Sequence, residues 1–223
     1  MEVTLPRRFR GPLTSANGGY AAGRLAAFVD AEEIEVTLRL PPPLDRPLVV
    51  RRDGDSALLL DGDDVVAAAR PAELDLQPPP RVSIDEAERA RERHVRGWSQ
   101  DFNECFVCGD RSDGEVLGIR VGPVAGREPL HAALWIATES AREIVWAAID
   151  CPGAFAVGAE GRGGTVLARM TARILRVPDL GEPCVVVSWP LGEDGRKLFA
   201  GTALFAEDGE ILALARQTWI TPR

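Results

Sequence analysis

The sequence is poor in the side chains that usually announce chemistry. Its 223 residues include 2 histidines, 4 cysteines and 1 tyrosine, and Lys197 is the only lysine among 26 basic residues. The histidines, His94 and His131, have no serine or cysteine nucleophile with an acidic orienter in their sequence context, which argues against a hydrolytic triad and against histidine-dependent chemistry. Four cysteines are too few for a secreted disulfide scaffold of this length. Cys105 and Cys108 form the only close pair, which is half of a structural zinc site, and Cys151 and Cys184 are isolated from it by spacing. No metal and no cofactor is therefore expected. No stretch approaches the ~20 apolar residues that span a bilayer, and the start, with Arg7, Arg8 and Arg10, lacks the apolar core of a signal peptide. A cytoplasmic protein with no membrane partner is expected. The formal charge of -8, with both signs interleaved, offers no clustered basic face, so nucleic acid is not an expected partner either.

What is present is ordinary globular composition, 45% hydrophobic, punctuated by 22 glycines and 17 prolines, which favours many short elements over long helices. Val36, Leu38 and Leu40 alternate with Glu35, Thr37 and Arg39, the period of a half-buried strand, and Pro41–Pro43 end it. Strands near 48–52, 57–60 and 65–70 follow, joined by turns at Asp53–Gly54 and Asp61–Gly62. The pattern then returns. Ala168, Met170, Ala172 and Ile174 alternate with Arg169, Thr171 and Arg173, and strands over 184–189, 198–205 and 211–220 come after. Short motifs echo in the same order: Tyr20–Ala22 with Trp146–Ala148 in Ala-rich helical stretches, Arg46–Pro47 with Glu182–Pro183, and Asp61–Gly62 with Asp208–Gly209. That shared order suggests duplication. Between the copies, Pro78–Pro80 precede Ser83 and Glu86, a capping box that starts a charged linker helix, with apolar spacing continuing to Trp98. The expected organisation is a first repeat over 1–77, a linker over 78–100 and a second repeat over 101–223. The class is α+β, each unit a helix wrapped by antiparallel sheet.

This arrangement resembles the double hotdog fold of the acyl-CoA thioesterase II family. The segment Phe9–Tyr20, ending Asn17-Gly18-Gly19-Tyr20, resembles the opening of the family's first repeat. Trp146–Asp150 resembles the second-repeat helix that carries its catalytic aspartate, and Gly209–Gln217 the strand that carries its catalytic glutamine. Cys105-Phe106-Val107-Cys108-Gly109 running to Gly118–Ile119 resembles the first strand region of single-hotdog thioesterases of the phenylacetate-pathway type. The family's catalytic threonine falls on or near Ala168, with Thr165 and Thr171 to either side. Thr171 is carried as the candidate, although an offset of three residues reverses the face of a strand.

The resemblance implies thioester hydrolysis of fatty or aryl acyl-CoA, with a hotdog protein that binds such ligands without turnover as the alternative. Asp150 would orient or deprotonate water and Gln217 would hold that water. Asn17, Gly18 and Gly19, at a helix N-terminus, would present amides to the developing oxyanion. Arg162, in a Gly161–Gly164 loop, and Arg169 could meet CoA phosphates. Each has a plainer reading: a capped turn for Asn17–Gly19, a helix-end carboxylate for Asp150, a strand-end amide for Gln217 and solvated arginines for the rest. Assembly into a homodimer is compatible with the sequence and not required by it.

Overall fold

The computed structural model describes residues 1–95 and 100–221; the expected helical contact at Trp98 lies outside them. Among the described residues, eleven strands form one antiparallel sheet in the order β1-β3-β4-β5-β2-β8-β11-β10-β9-β7-β6. The strands are β1 (Glu2–Thr4), β2 (Glu33–Leu38), β3 (Pro47–Asp53), β4 (Ser56–Asp61), β5 (Asp64–Pro71), β6 (Gly122–Pro123), β7 (His131–Ile136), β8 (Val166–Ile174), β9 (Pro183–Asp194), β10 (Lys197–Ala206) and β11 (Ile211–Ile220). Among the described residues, no helix is long and apolar enough to cross a membrane.

The sheet has a seam at its centre, where β2 and β8 run antiparallel. Ile34 pairs with Ala172 and Val36 with Met170, and all four are buried in the core. The alternate residues face outward, where Glu33 meets Arg173 and Glu35 meets Arg169. From the seam outward the order is β2-β5-β4-β3-β1 on one side and β8-β11-β10-β9-β7-β6 on the other, so both sides present their strands in matching order. The two edges, β1 with 3 residues and β6 with 2, are short, which limits edge-to-edge pairing with another chain.

Among the described residues, four α-helices accompany the sheet. Helix α1 (Gly18–Ala26) packs against the first half and the seam. The linker helix α2 (Ile84–Arg91) has the full capping box between Ser83 and Glu86. It covers the outer face of the second half, where Ala87 and Ala90 pack with Ala132, Val185 and Phe205 in a second, smaller core. The apolar stretch around Trp146 forms two helices, α3 (Arg142–Ala148) and α4 (Cys151–Ala156), broken at Ile149–Asp150. Pro152 explains the break. It has no N–H to continue the ladder, but it is tolerated in the first turn of a new helix.

Helices α1 and α3 cross in the middle of the core at close range. A Cβ at Gly19 would lie 2.5 Å from the Trp146 carbonyl oxygen and from Asp150 Cβ, and one at Gly23 would lie 2.7 Å from Glu143 Cα. Glycines four residues apart share one helix face, so this face of α1 is bare backbone, and α3 rests on it. Alanine in place of Gly23 gains about 1 kcal/mol of helix propensity but must push α3 away, and overpacking a tight core typically costs about 1–3 kcal/mol. Gly23→Ala is therefore expected to lower the chemical-denaturation midpoint; a rise would mean that the helices are free to separate.

Candidate active site

The break between α3 and α4 decides what surrounds Asp150. A helix end leaves backbone carbonyls without intrahelical donors, and here the end is buried. Thr202 Oγ1 on β10 donates to the Ile149 carbonyl at 3.0 Å. Gln217 Nε2 on β11 donates to the carbonyls of Ile149 and Asp150, the latter at 3.1 Å, and Gln217 Oε1 accepts from Trp219 Nε1 at 2.8 Å. Both ends of this fully buried amide are engaged by protein. The water expected at Gln217 would therefore have to share an amide already bonded to protein at both ends. Its polarity on the sheet's inner face serves the helix break, and it positions the Asp150 backbone.

The carboxylate points to the start of α1. Asp150 Oδ2 accepts from the Gly19 N–H at 2.9 Å and from Asn17 Nδ2 at 2.9 Å. Asn17 also caps α1, its Oδ1 accepting from the Tyr20 N–H at 2.8 Å. An amide suits the position because it accepts with one atom and donates with the other; an aspartate would set two carboxylates against each other. Asp150 Oδ1 is buried with no hydrogen-bond partner among the described residues. Burial pushes the carboxyl up to about 7, against the lowering effect of the bonds from Gly19 and Asn17, so the acid is poised between its two forms near neutrality.

The same bonds decide which amides of the first turn of α1 are free to face a ligand. The Gly19 N–H is taken by Asp150 and the Tyr20 N–H by the Asn17 cap. Only the Gly18 N–H of the first turn lacks an acceptor among the described residues. Gly18 and Asp150 line one cavity of about 290 Å³, whose walls include Leu38, Leu167, Trp219 and Phe102. It lies where α1 begins, against the ends of β2, β8 and β11. Asn17 lines it as well, whereas Gly19 and Gln217 stand behind it.

The remaining expected site residues fall elsewhere. Thr171 is not on the cavity wall. It sits between the core residues Met170 and Ala172 on β8, opposite Glu35 and Arg216, and strand alternation turns it to the outer face. Thr165 donates to the Arg162 carbonyl. On β8 the cavity wall is made by Val166, Leu167 and Ala168, and at Ala168 the register widens by one residue against β11. Arg162 pairs with Glu193 at 3.0 Å. Arg169 bonds Thr37 Oγ1 at 3.1 Å and faces Glu35 at 3.7 Å, so neither arginine reaches the cavity. The cavity's own arginine is Arg39, on its wall with no ion-pair partner among the described residues. Sequence reading passed over it because it looks like one more polar position of an alternating strand. No histidine lines the cavity: His94 Nδ1 lies 2.8 Å from the Val121 carbonyl and His131 Nδ1 3.2 Å from that of Pro129.

The cysteines are the larger surprise. Cys151 opens α4, directly after Asp150, and its sulfur lies 3.6 Å from that of Cys105. The sulfurs of Cys105, Cys108 and Cys151 all lie within 4.8 Å of one another. The expectation that Cys151 is isolated from the pair is therefore wrong: spacing in the chain said nothing about a contact made by the fold.

Neither a protein-family model nor a curated protein sequence matches the chain. Solved structures do match its shape. A structure from Thermobifida fusca described as a thioesterase II superposes with a TM-score of 0.66 at 15% identity, covering 100% of this chain and 92% of the other. A hot dog fold protein from Alicyclobacillus acidocaldarius gives 0.59 at 10% identity, covering 100% and 92%. The dehydratase domain of a mycocerosic acid synthase-like polyketide synthase gives 0.62 at 14% identity, covering 100% and 90%. The chain thus has an α+β hotdog fold, similar over its whole length to thioesterase-like structures, and that fold also hosts dehydratases.

The role of Gln217 is open to direct test. Gln217→Met keeps the volume but removes one of the donors to the Ile149 and Asp150 carbonyls, which retain Thr202 Oγ1 and the Gly153 N–H, and losing such hydrogen bonds costs about 0.5–1.5 kcal/mol each. A lower urea midpoint is the expected result. Unchanged stability with lost activity would return Gln217 to the reacting centre.

Proposed function

We propose that the protein hydrolyses acyl thioesters, with acyl-CoA as the substrate class, in the cavity shared by Asp150 and Gly18. One observation carries this reading: a buried carboxylate with one oxygen fixed by two donors and the other unpartnered, on the wall of a largely apolar cavity beside a helix N-terminus. A buried polar atom without a partner is costly, and a substrate or its attacking water would relieve that cost. The acyl chain would lie among Leu38, Leu167 and Trp219. Water held at Asp150 Oδ1 attacks the thioester carbon as the carboxylate takes its proton. The Gly18 N–H, at the positive end of α1, faces the oxygen on which charge develops. Collapse breaks the carbon–sulfur bond, and the departing thiolate recovers the proton to give the free acid and the free thiol. Arg39 is the cation available to a phosphate of the thiol carrier.

The matching strand order on either side of the β2–β8 seam supports a further proposal, that the chain is a duplicated hotdog, with units over 1–77 and 101–223 and a linker over 78–100. The two helices that build the site would then come from different units. Dehydration is less well supported, since no histidine lines the cavity. A second reading keeps the pocket but not the turnover. Ala168 occupies the wall where the thioesterase II resemblance calls for threonine, and a hydroxyl absent there would leave an acyl-CoA-binding protein.

Free-thiol release from a panel of acyl-CoAs tests these readings. Asp150→Asn is expected to lower kcat by about 100-fold or more, the usual contribution of a general base. Saturable binding without release in the wild type would establish the second reading instead, and undiminished turnover in Asp150→Asn would remove Asp150 from the chemistry. Two further variants separate the strand faces. Ala168→Thr, which places a hydroxyl on the cavity wall, is expected to raise kcat, and Thr171→Ala to leave it unchanged. The reverse pattern would mean that the face assignment of β8 is wrong.

A further inference from the structure

We propose that Cys105, Cys108 and Cys151 form a zinc(II) site that clips the Cys105–Gly109 loop to the start of α4, directly behind Asp150. The plainer account is that three cysteines act as small apolar residues in a core. Three observations go beyond it. The first is convergence: three of the chain's four cysteines, from two segments far apart in sequence, bring their sulfurs within 4.8 Å of one another, all buried. Tetrahedral zinc with Zn–S bonds of about 2.3 Å separates its sulfurs by about 3.8 Å, and the Cys105–Cys151 separation is already 3.6 Å. A small contraction of the triangle would complete three bonds.

The second is the shape of the loop. The Gly109 N–H closes the turn on the Cys105 carbonyl at 2.8 Å. A side chain at Gly109 would come within 2.5 Å of the Cys105 backbone, so the turn requires glycine. The loop is also anchored, with the Phe106 N–H on the Arg10 carbonyl at 2.7 Å and the Ile119 N–H on that of Val107 at 3.0 Å.

The third is the surrounding donor. Asn17 Nδ2, which holds Asp150, also lies 3.7 Å from the Cys151 sulfur and 4.0 Å from that of Cys105. Three thiolates and a divalent ion carry a net charge of −1, and such outer donors spread it. Three protein ligands leave the fourth position to water. The spacing Cys-x-x-Cys supplies half the site, and only the break after α3 brings up the third ligand. Cys184 takes no part: its sulfur is directed at the Glu182 carbonyl.

The proposal stands apart from the catalytic reading, because its readout is metal content and spectrum. The full chain purified without chelators is expected to carry about one zinc per chain by elemental mass spectrometry, released by titration with a mercurial reagent. Cobalt(II) added to the metal-free protein should give intense thiolate-to-cobalt charge-transfer absorption, lost in Cys151→Ser and retained in Cys184→Ser. Should Cys151→Ser fail to fold, the wild-type cobalt spectrum and zinc release decide alone. Metal-free protein that gives no cobalt–thiolate band, with four titratable thiols on denaturation, would overturn the site in favour of an apolar cluster. A deficit of two thiols would overturn it in favour of a disulfide.

Discussion

The structure turns on one close contact, the crossing of α1 over α3 at Gly19 and Gly23. Without side chains on that face, the backbone of one helix reaches the other. The Gly19 N–H can then bond a carboxylate carried at the end of α3. Any larger residue would separate the helices, and the separation would dissolve the arrangement at Asp150. The β2–β8 seam has the same consequence at the level of the sheet, because it holds the two halves in one register and fixes where the two helices meet. The fold therefore builds a buried acid from parts that belong to different halves of the chain.

A buried carboxylate is expensive, and what surrounds Asp150 shows how the cost is limited. Oδ2 has two donors, the backbone carbonyls of the broken helix are satisfied by Thr202 and Gln217, and Pro152 allows a new helix to begin at once. What is left is a single oxygen, Oδ1, with no partner among the described residues, on a side chain whose residue lines an apolar cavity. Most of the polar residues near the site thus act on the position of Asp150, and few touch the cavity itself.

Much of the fold was legible in the sequence because it rests on local rules. Alternation at Val36–Leu40 and at Ala168–Ile174, the Asp-Gly turns and the Ser83–Glu86 box each need only a few neighbouring residues. At the site, local rules singled out residues by their polarity but carried no information about their partners. Gln217 stood out as polar on an apolar face, but its partners are carbonyls of a helix remote in sequence. Gly19 was read as an amide donor to a substrate, yet its partner, Asp150, comes from the other helix. Thr171 lies off the cavity wall for a reason visible in the sequence, since three residues along a strand reverse the face. Cys151 could not be joined to Cys105 and Cys108 by any spacing rule, because the helix break that brings it there is a tertiary event. The same holds for Arg39, which lines the cavity although nothing marks it along the strand.

The central claim is that thioester chemistry takes place in the cavity between Asp150 and Gly18. A crystal structure with a non-hydrolysable acyl-CoA thioether tests it most directly. The acyl chain is expected among Leu38, Leu167 and Trp219, with the atoms next to sulfur within reach of Asp150 Oδ1 and the Gly18 N–H. An analogue bound on another face, with this cavity empty, would contradict the account.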